Sequence, residues 1–187
     1  MSDREIVRVT FDMKKFSSGI SRPENTTQYA ANEAVSSNAG NDFEWKGVAP
    51  INNGWFSGDI VGAVLHSNQN NTTLKLDGAM FIFSNQVAHI ADNAAFAPTD
   101  AEMRTCLGVI YFSAANWIAG LDTAGVNGNS LCIGEPSGYS FRTDLPFAVN
   151  AVGNASASLY GLLKTLNAYT PISAEVLTCD LIIRGNP

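Results

Sequence analysis

The alternation in the last third of the chain constrains the fold most. Ala155, Ala157, Leu159, Gly161 and Leu163 alternate with Ser156, Ser158, Tyr160, Leu162 and Lys164. After Asn167-Ala168-Tyr169-Thr170-Pro171, the residues Leu177, Cys179, Leu181 and Ile183 alternate with Thr178, Asp180 and Arg184. A period of two gives each strand one buried and one wetter face. The spacing predicts two strands closing the fold as a terminal hairpin, with Leu177, Cys179, Leu181 and Ile183 turned into the core. A slip of one residue would bury Thr178 and expose Cys179.

Further strands are expected over residues 5–11, 59–67, 72–84, 107–112, 130–134 and 145–152. Asn68 to Asn71 forms a strong turn signal, so 59–67 and 72–84 read as a hairpin. Residues 13–28 are polar, hold Gly19 and Pro23, and read as a long loop, so that about the first 28 residues form a partly extended N-terminal arm. The one helical candidate lies in 92–104. Thr99 can cap it, and Glu102 stands three residues later, as a capping box requires. Many short strands separated by Asn/Gly turns predict a single all-β domain over 1–187, an antiparallel β-sandwich or jelly-roll-like barrel with one short helix.

The 187 residues suit one domain, and 45% hydrophobic content suffices for a sizeable core. Charged residues make up only 15%, against ~25% in typical soluble domains. Neutral polar groups lose less hydration energy on entering an interface than Lys or Glu do, so this composition favours a protein packed against a partner. A net charge of −6 without a basic stripe argues against nucleic-acid binding. The longest apolar runs are far shorter than a membrane span, and the N-terminus lacks a signal-peptide apolar region. Cys106, Cys132 and Cys179 are widely spaced, contain no Cys-x-x-Cys pair, and read as buried free thiols of a reducing compartment.

No nucleophile elbow, phosphate loop or His-Glu-x-x-His motif is present, and no cofactor or metal is expected. His66 and His89 have Asp59 and Asp92 as the only acidic sequence neighbours worth naming, and ordinary structural positions are expected for both. Trp45, Trp55 and Phe56 stand in loop-like surroundings. Exposed aromatics there would serve as interface anchors or sugar platforms; otherwise they cover an open end of the core.

Three segments in order carry a resemblance. They are Gln28-Tyr29-Ala30-Ala31-Asn32-Glu33-Ala34-Val35, then Ile90-Ala91-Asp92-Asn93-Ala94-Ala95-Phe96-Ala97-Pro98-Thr99-Asp100 leading to Leu107-Gly108-Val109-Ile110, and Leu159-Tyr160-Gly161-Leu162-Leu163-Lys164-Thr165-Leu166-Asn167-Ala168-Tyr169-Thr170-Pro171 running into 177–184. Together they resemble small tailed-bacteriophage virion proteins of the head decoration, or cement, kind. The resemblance implies a non-enzymatic protein made in the bacterial host cytoplasm. It would bind the outer surface of the expanded capsid and tie major capsid protein subunits together, as a homo-trimer at a local three-fold. It departs from the pattern over 121–143 and at 68–71. Two other classes compete: a carbohydrate- or receptor-binding β-sandwich of a phage tail or fibre, and a hydrolase whose acidic pair is brought together by folding.

Overall fold

A computed structural model describes residues 13–38, 40, 42–48, 55–69, 75–120, 130–137, 145–150 and 157–185. The expected strand at 5–11 and the turns at 70–71 and 125–129 lie outside these residues. Among the described residues eleven strands are present: β1 (Met13–Ser21), β2 (Ala34–Val35), β3 (Phe43–Val48), β4 (Trp55–Ser67), β5 (Gly78–Phe83), β6 (Cys106–Phe112), β7 (Trp117–Ala119), β8 (Ser130–Ser137), β9 (Leu145–Asn150), β10 (Ala157–Thr165) and β11 (Val176–Gly185). The helical candidate is one turn, α1 (Asp100–Met103), with the expected Thr99–Glu102 capping box formed. The fold is all-β and antiparallel, as the turn-separated strands predict.

The strands run in the order β1-β11-β4-β8-β6-β5-β10-β2, with β3 also on β10, β7 on β8 and β9 on β4. The sheet curls into a half-barrel. Strand β8 makes the corner: Ser130–Gly134 lie against β4, while Glu135, Pro136 and Ser137 lie against β6. Strands that change partner in mid-course are how folded-over sheets turn their corners. Gly134 sits at the changeover because a Cβ there would fall 2.5 Å from the Phe112 ring and 2.7 Å from Ile110 Cγ2.

The core register is as the alternation requires. Leu177, Cys179 and Leu181 are fully buried and Ile183 nearly so. They join Trp45, Leu65, Met80, Ile110, Phe112 and Leu159 in the main apolar cluster. A smaller cluster of Phe83, Val87 and Leu162 forms on the other face of β10. That strand is therefore covered on both sides, and its Leu162, assigned to the wetter face by alternation, is only 3% exposed.

Three expectations are overturned. β10 and β11 do not form a hairpin: β10 pairs with β5, β3 and β2, whereas β11 lies between β1 and β4. The segment between them crosses from one half of the sheet to the other. Likewise β4 and β5 do not pair; β4 meets β11, β8 and β9, and β5 meets β10 and β6. Finally, 13–28 is not a free arm. Nine residues of it form β1, laddered along the whole of β11 from Met13↔Arg184 to Ser21↔Val176. Only Ile20 of this strand is buried, with Phe16 partly so, which is why its polar residues mimic a loop.

Candidate functional site

The three segments carrying the resemblance meet in space. Tyr29 and Tyr169 exchange backbone hydrogen bonds (Tyr29 N to Tyr169 O, 2.9 Å) and stack their rings at 5.9 Å. The Asn32 amide donates to the Thr165 carbonyl and the Phe96 amide to the Asn32 carbonyl; Ala34 N donates to Ala94 O, and Asn93 N to Ala34 O. Asn32 and Asn93 both turn the chain in the left-handed region, with φ of 68° and 62°. Asn tolerates that conformation better than most residues do.

A buried polar hub fixes this junction. Asp92 accepts from Arg22 Nη2 at 2.9 Å, from the Tyr29 hydroxyl and from the Ser36 amide at 3.0 Å. The Arg22 side chain has no exposed surface. On the far side of the tyrosine stack, Glu175 accepts from the hydroxyls of Ser67 and Tyr169. Burial pushes the Glu175 carboxyl up, against the opposing pull of Ser67, Tyr169, Arg22 and Lys75. Both tyrosine hydroxyls are likewise pushed far up, by burial first and by hydrogen bonds to their carboxylates. Arg22 Nη1 is buried without a hydrogen-bond partner, while the other polar groups of the hub bond to one another; groups so enclosed hold a fold together and are closed to a ligand.

An open site lies elsewhere. Strand β3 puts Phe43 and Trp45 into the core, so Glu44 and Lys46 share its outer face, with Asp42 just before the strand. Opposite Glu44 on β10 stands Tyr160, its ring packed on the smaller apolar cluster. Together with Gln86 and His89 these side chains line a cleft of about 670 Å³. Two hydrogen bonds tie the floor to its neighbours: the Glu44 amide donates to Ser18 Oγ of β1 at 2.7 Å, and the Ala88 amide donates to Glu102 of α1 at 2.6 Å. The second bond fastens residues 86–89 to the capping box. It is the leading cause that draws the Glu102 carboxyl down, followed by the bonds from Thr99.

Each carboxylate in this cleft has a nitrogen partner. His89 Nδ1 lies 3.2 Å from Asp42 Oδ1, and Lys46 Nζ lies 3.2 Å from Glu44 Oε2. Burial pushes Asp42 up, while His89 pulls in the other direction. Two carboxylates thus share one cleft, each with its own basic partner. Among the described residues, no group of three or more His, Cys, Asp or Glu side chains is arranged to hold a metal ion.

The residues singled out from sequence are not gathered into one place. Trp45 is a strand residue, fully buried, stacked on Phe43 at 5.9 Å, and so is no surface platform. Trp55 and Phe56 are in β4, their backbones opposite Asn150 and Val149 of β9; their side chains lie outside the described residues. The loop-like reading failed because the adjoining Asn and Gly residues hide the strands' alternation. The histidines take other partners than their sequence neighbours. His66 meets Asp180, which also binds Lys15 and Ser17; His89 meets Asp42; Asp59 pairs with Arg184 and Asp92 with Arg22. Cys132 and Cys179 are buried free thiols and Cys106 is partly buried. Burial pushes the Cys132 thiol up to about 11 and Cys179 higher still. Alternation sets Tyr160 on a wetter face but does not connect it with Asp42, Glu44, Lys46 and Gln86, although Asp-Phe-Glu-Trp-Lys is itself a period-two pattern with a polar face.

No family model matches the chain, and no curated protein matches it.

Proposed function

We propose that this is a non-enzymatic virion structural protein of a tailed phage, a cement protein that binds the outer surface of the expanded capsid and links major capsid subunits as a homo-trimer. The observation carrying this reading is the convergence of the three resemblance segments. Residues 28–35, 90–100 and 159–171 bond to one another through Tyr29–Tyr169, Ala34–Ala94 and Asn32–Thr165. Segments far apart in the sequence thus form a single packed unit.

The low charge supports the same reading, because a neutral polar surface is inexpensive to dehydrate against a partner. So do Tyr111, Ile118 and Ile133, which are 44%, 56% and 56% exposed on β6, β7 and β8. Ile118 and Ile133 line the same shallow hollow with Trp117. Purified protein is expected to co-sediment with expanded heads of the phage that encodes it, in fixed ratio to the major capsid protein, and to leave immature heads unbound. Failure to associate with expanded heads overturns the reading. Because β1 is part of the sheet, the role of the N-terminal segment is tested by removing residues 1–12 and not 1–28.

A further inference from the structure

We propose that the cleft between β3 and residues 86–89 is a binding site for a neutral saccharide. The volume, about 670 Å³, falls within the range of roughly 300–1,000 Å³ usual for small-ligand sites. Three features of its chemistry select the class of ligand.

The first is the pairing of its carboxylates. A site for phosphate, sulfate or a carboxylated ligand presents surplus cation, and a site for a cation presents surplus carboxylate. Here Lys46 is held by Glu44 and the His89 ring by Asp42, so no cation is left over for an anion, and among the described residues no group of three or more His, Cys, Asp or Glu side chains is gathered for a metal ion. A charged ligand would have to break a pair and leave one member uncompensated.

The second is the form of the polar groups. Glu44 stands in β3 and Asp42 immediately before it, two residues away, a separation of roughly 6.6 Å along extended chain at about 3.3 Å per residue. Carboxylates accept two hydrogen bonds side by side, as adjacent ring hydroxyls provide them. Lys46 and Gln86 supply donors that those hydroxyls can accept. The Lys46 side chain is 76% exposed and that of Glu44 34%, so this pair reorients towards a ligand at little cost.

The third is Tyr160. Cross-strand partners on an antiparallel pair project to the same face, so Tyr160 stands beside Glu44. Its ring is anchored on the Phe83, Val87 and Leu162 cluster, giving an aromatic surface already ordered before binding. The apolar C–H face of a sugar ring matches such a surface, while its hydroxyl rim matches the carboxylates.

The full-length protein is to be titrated with malto-, cello- and chito-oligosaccharides by isothermal titration calorimetry, with dextran sulfate as the anionic probe. At least one neutral series is expected to bind, and Asp42→Asn and Glu44→Gln are each expected to weaken it about tenfold, the scale of losing a hydrogen bond to a charged group. Lys46→Gln, on an exposed side chain that bears no part of the core, provides a variant free of folding effects, with a smaller loss expected. Absence of binding by all three neutral series overturns the proposal. So does binding that is undiminished in all three variants, or tighter binding of dextran sulfate than of any neutral series. Capsid co-sedimentation of Asp42→Asn separates this site from the proposed capsid role, since loss of saccharide binding alone leaves that association intact.

Discussion

The indole Nε1 of Trp45 donates a 2.9 Å hydrogen bond to the carbonyl of Cys179 across the interior. Trp45 belongs to β3, on the β10 side of the curled sheet, and Cys179 to β11, on the β1 side. The bond therefore fastens the two halves to each other through the core, where no water competes for either partner. Trp45→Phe is expected to lower stability by about 1–3 kcal/mol, the cost of a buried acceptor left unpaired. Trp45→Ala should cost about 3–5 kcal/mol through the cavity it leaves. Urea unfolding of the two variants checks both values.

Gly161 lies directly beneath that indole. A Cβ there would come within 2.7 Å of Trp45 Cη2 and 2.9 Å of Met80 Sδ. Gly161→Ala should destabilise by about 1–3 kcal/mol through overpacking. Gly62, in β4, is the control: its nearest neighbour would be Ile182 Cδ1 at 3.4 Å. Gly62→Ala is expected to be neutral or to stabilise by up to about 1 kcal/mol, by restricting the unfolded chain. Equal losses at both positions, read from thermal melts, would contradict this packing.

Asp92 should be the most sensitive polar position. Its removal strands the Arg22 guanidinium, whose side chain has no exposed surface, and frees the Tyr29 hydroxyl and the Ser36 amide. Asp92→Ala is expected to cost about 3–5 kcal/mol, as breaking one side of a buried charge pair does. Hydrogen exchange of the Ser36 and Ala34 amides should accelerate with it, since both belong to the same junction.

Two carboxylates should bend the pH dependence of stability in opposite directions. Burial raises the Asp180 carboxyl, but hydrogen bonds from Ser17, Lys15 and His66 outweigh it and leave the group below its usual range. Its contribution is therefore present above the unfolded value near 3.9 and is lost as pH falls through the lower folded value. Glu175 is held above its usual range by burial. Its contribution is complete below about 4.3 and is lost as pH rises through the folded value. Asp180→Asn should flatten the acid limb, and Glu175→Gln the limb above it. Urea midpoints measured between pH 2.5 and 8 separate the two.

What could be read from the sequence was whatever depends on near neighbours along it. The inward set Leu177, Cys179, Leu181 and Ile183 follows from alternation, and the Thr99–Glu102 box from a three-residue spacing. Strand partners do not follow, because a period of two describes a face and not its neighbour. Hence β10 and β11 looked like a hairpin. Strand β1 was hidden by its edge position: Lys14 and Lys15 and its serines keep the outer strand polar, a common guard against further pairing. In the cleft, Asp42 and Glu44 stand close in the sequence, but His89 and Tyr160 reach them only through folding. Gly47 shows the same limit. With φ of 70° it allows two β3 residues, Lys46 and Gly47, to sit opposite the single residue Ser158, and so shapes the strand bearing Glu44 and Lys46.

The ladder between β1 and β11 carries a kinetic consequence. Lys15 and Asp180, joined along it at 3.0 Å, are 165 residues apart in sequence. Closing so long a loop comes before any return from its contacts, and chains dominated by such distant pairings fold slowly. During synthesis β1 leaves the ribosome ahead of β2–β11 and can meet β11 only after the strands between them have been made. Until β11 arrives it is an unpartnered strand, open to the β11 of a neighbouring copy as much as to its own. The yield of correctly folded protein should therefore depend on how crowded the newly made chains are.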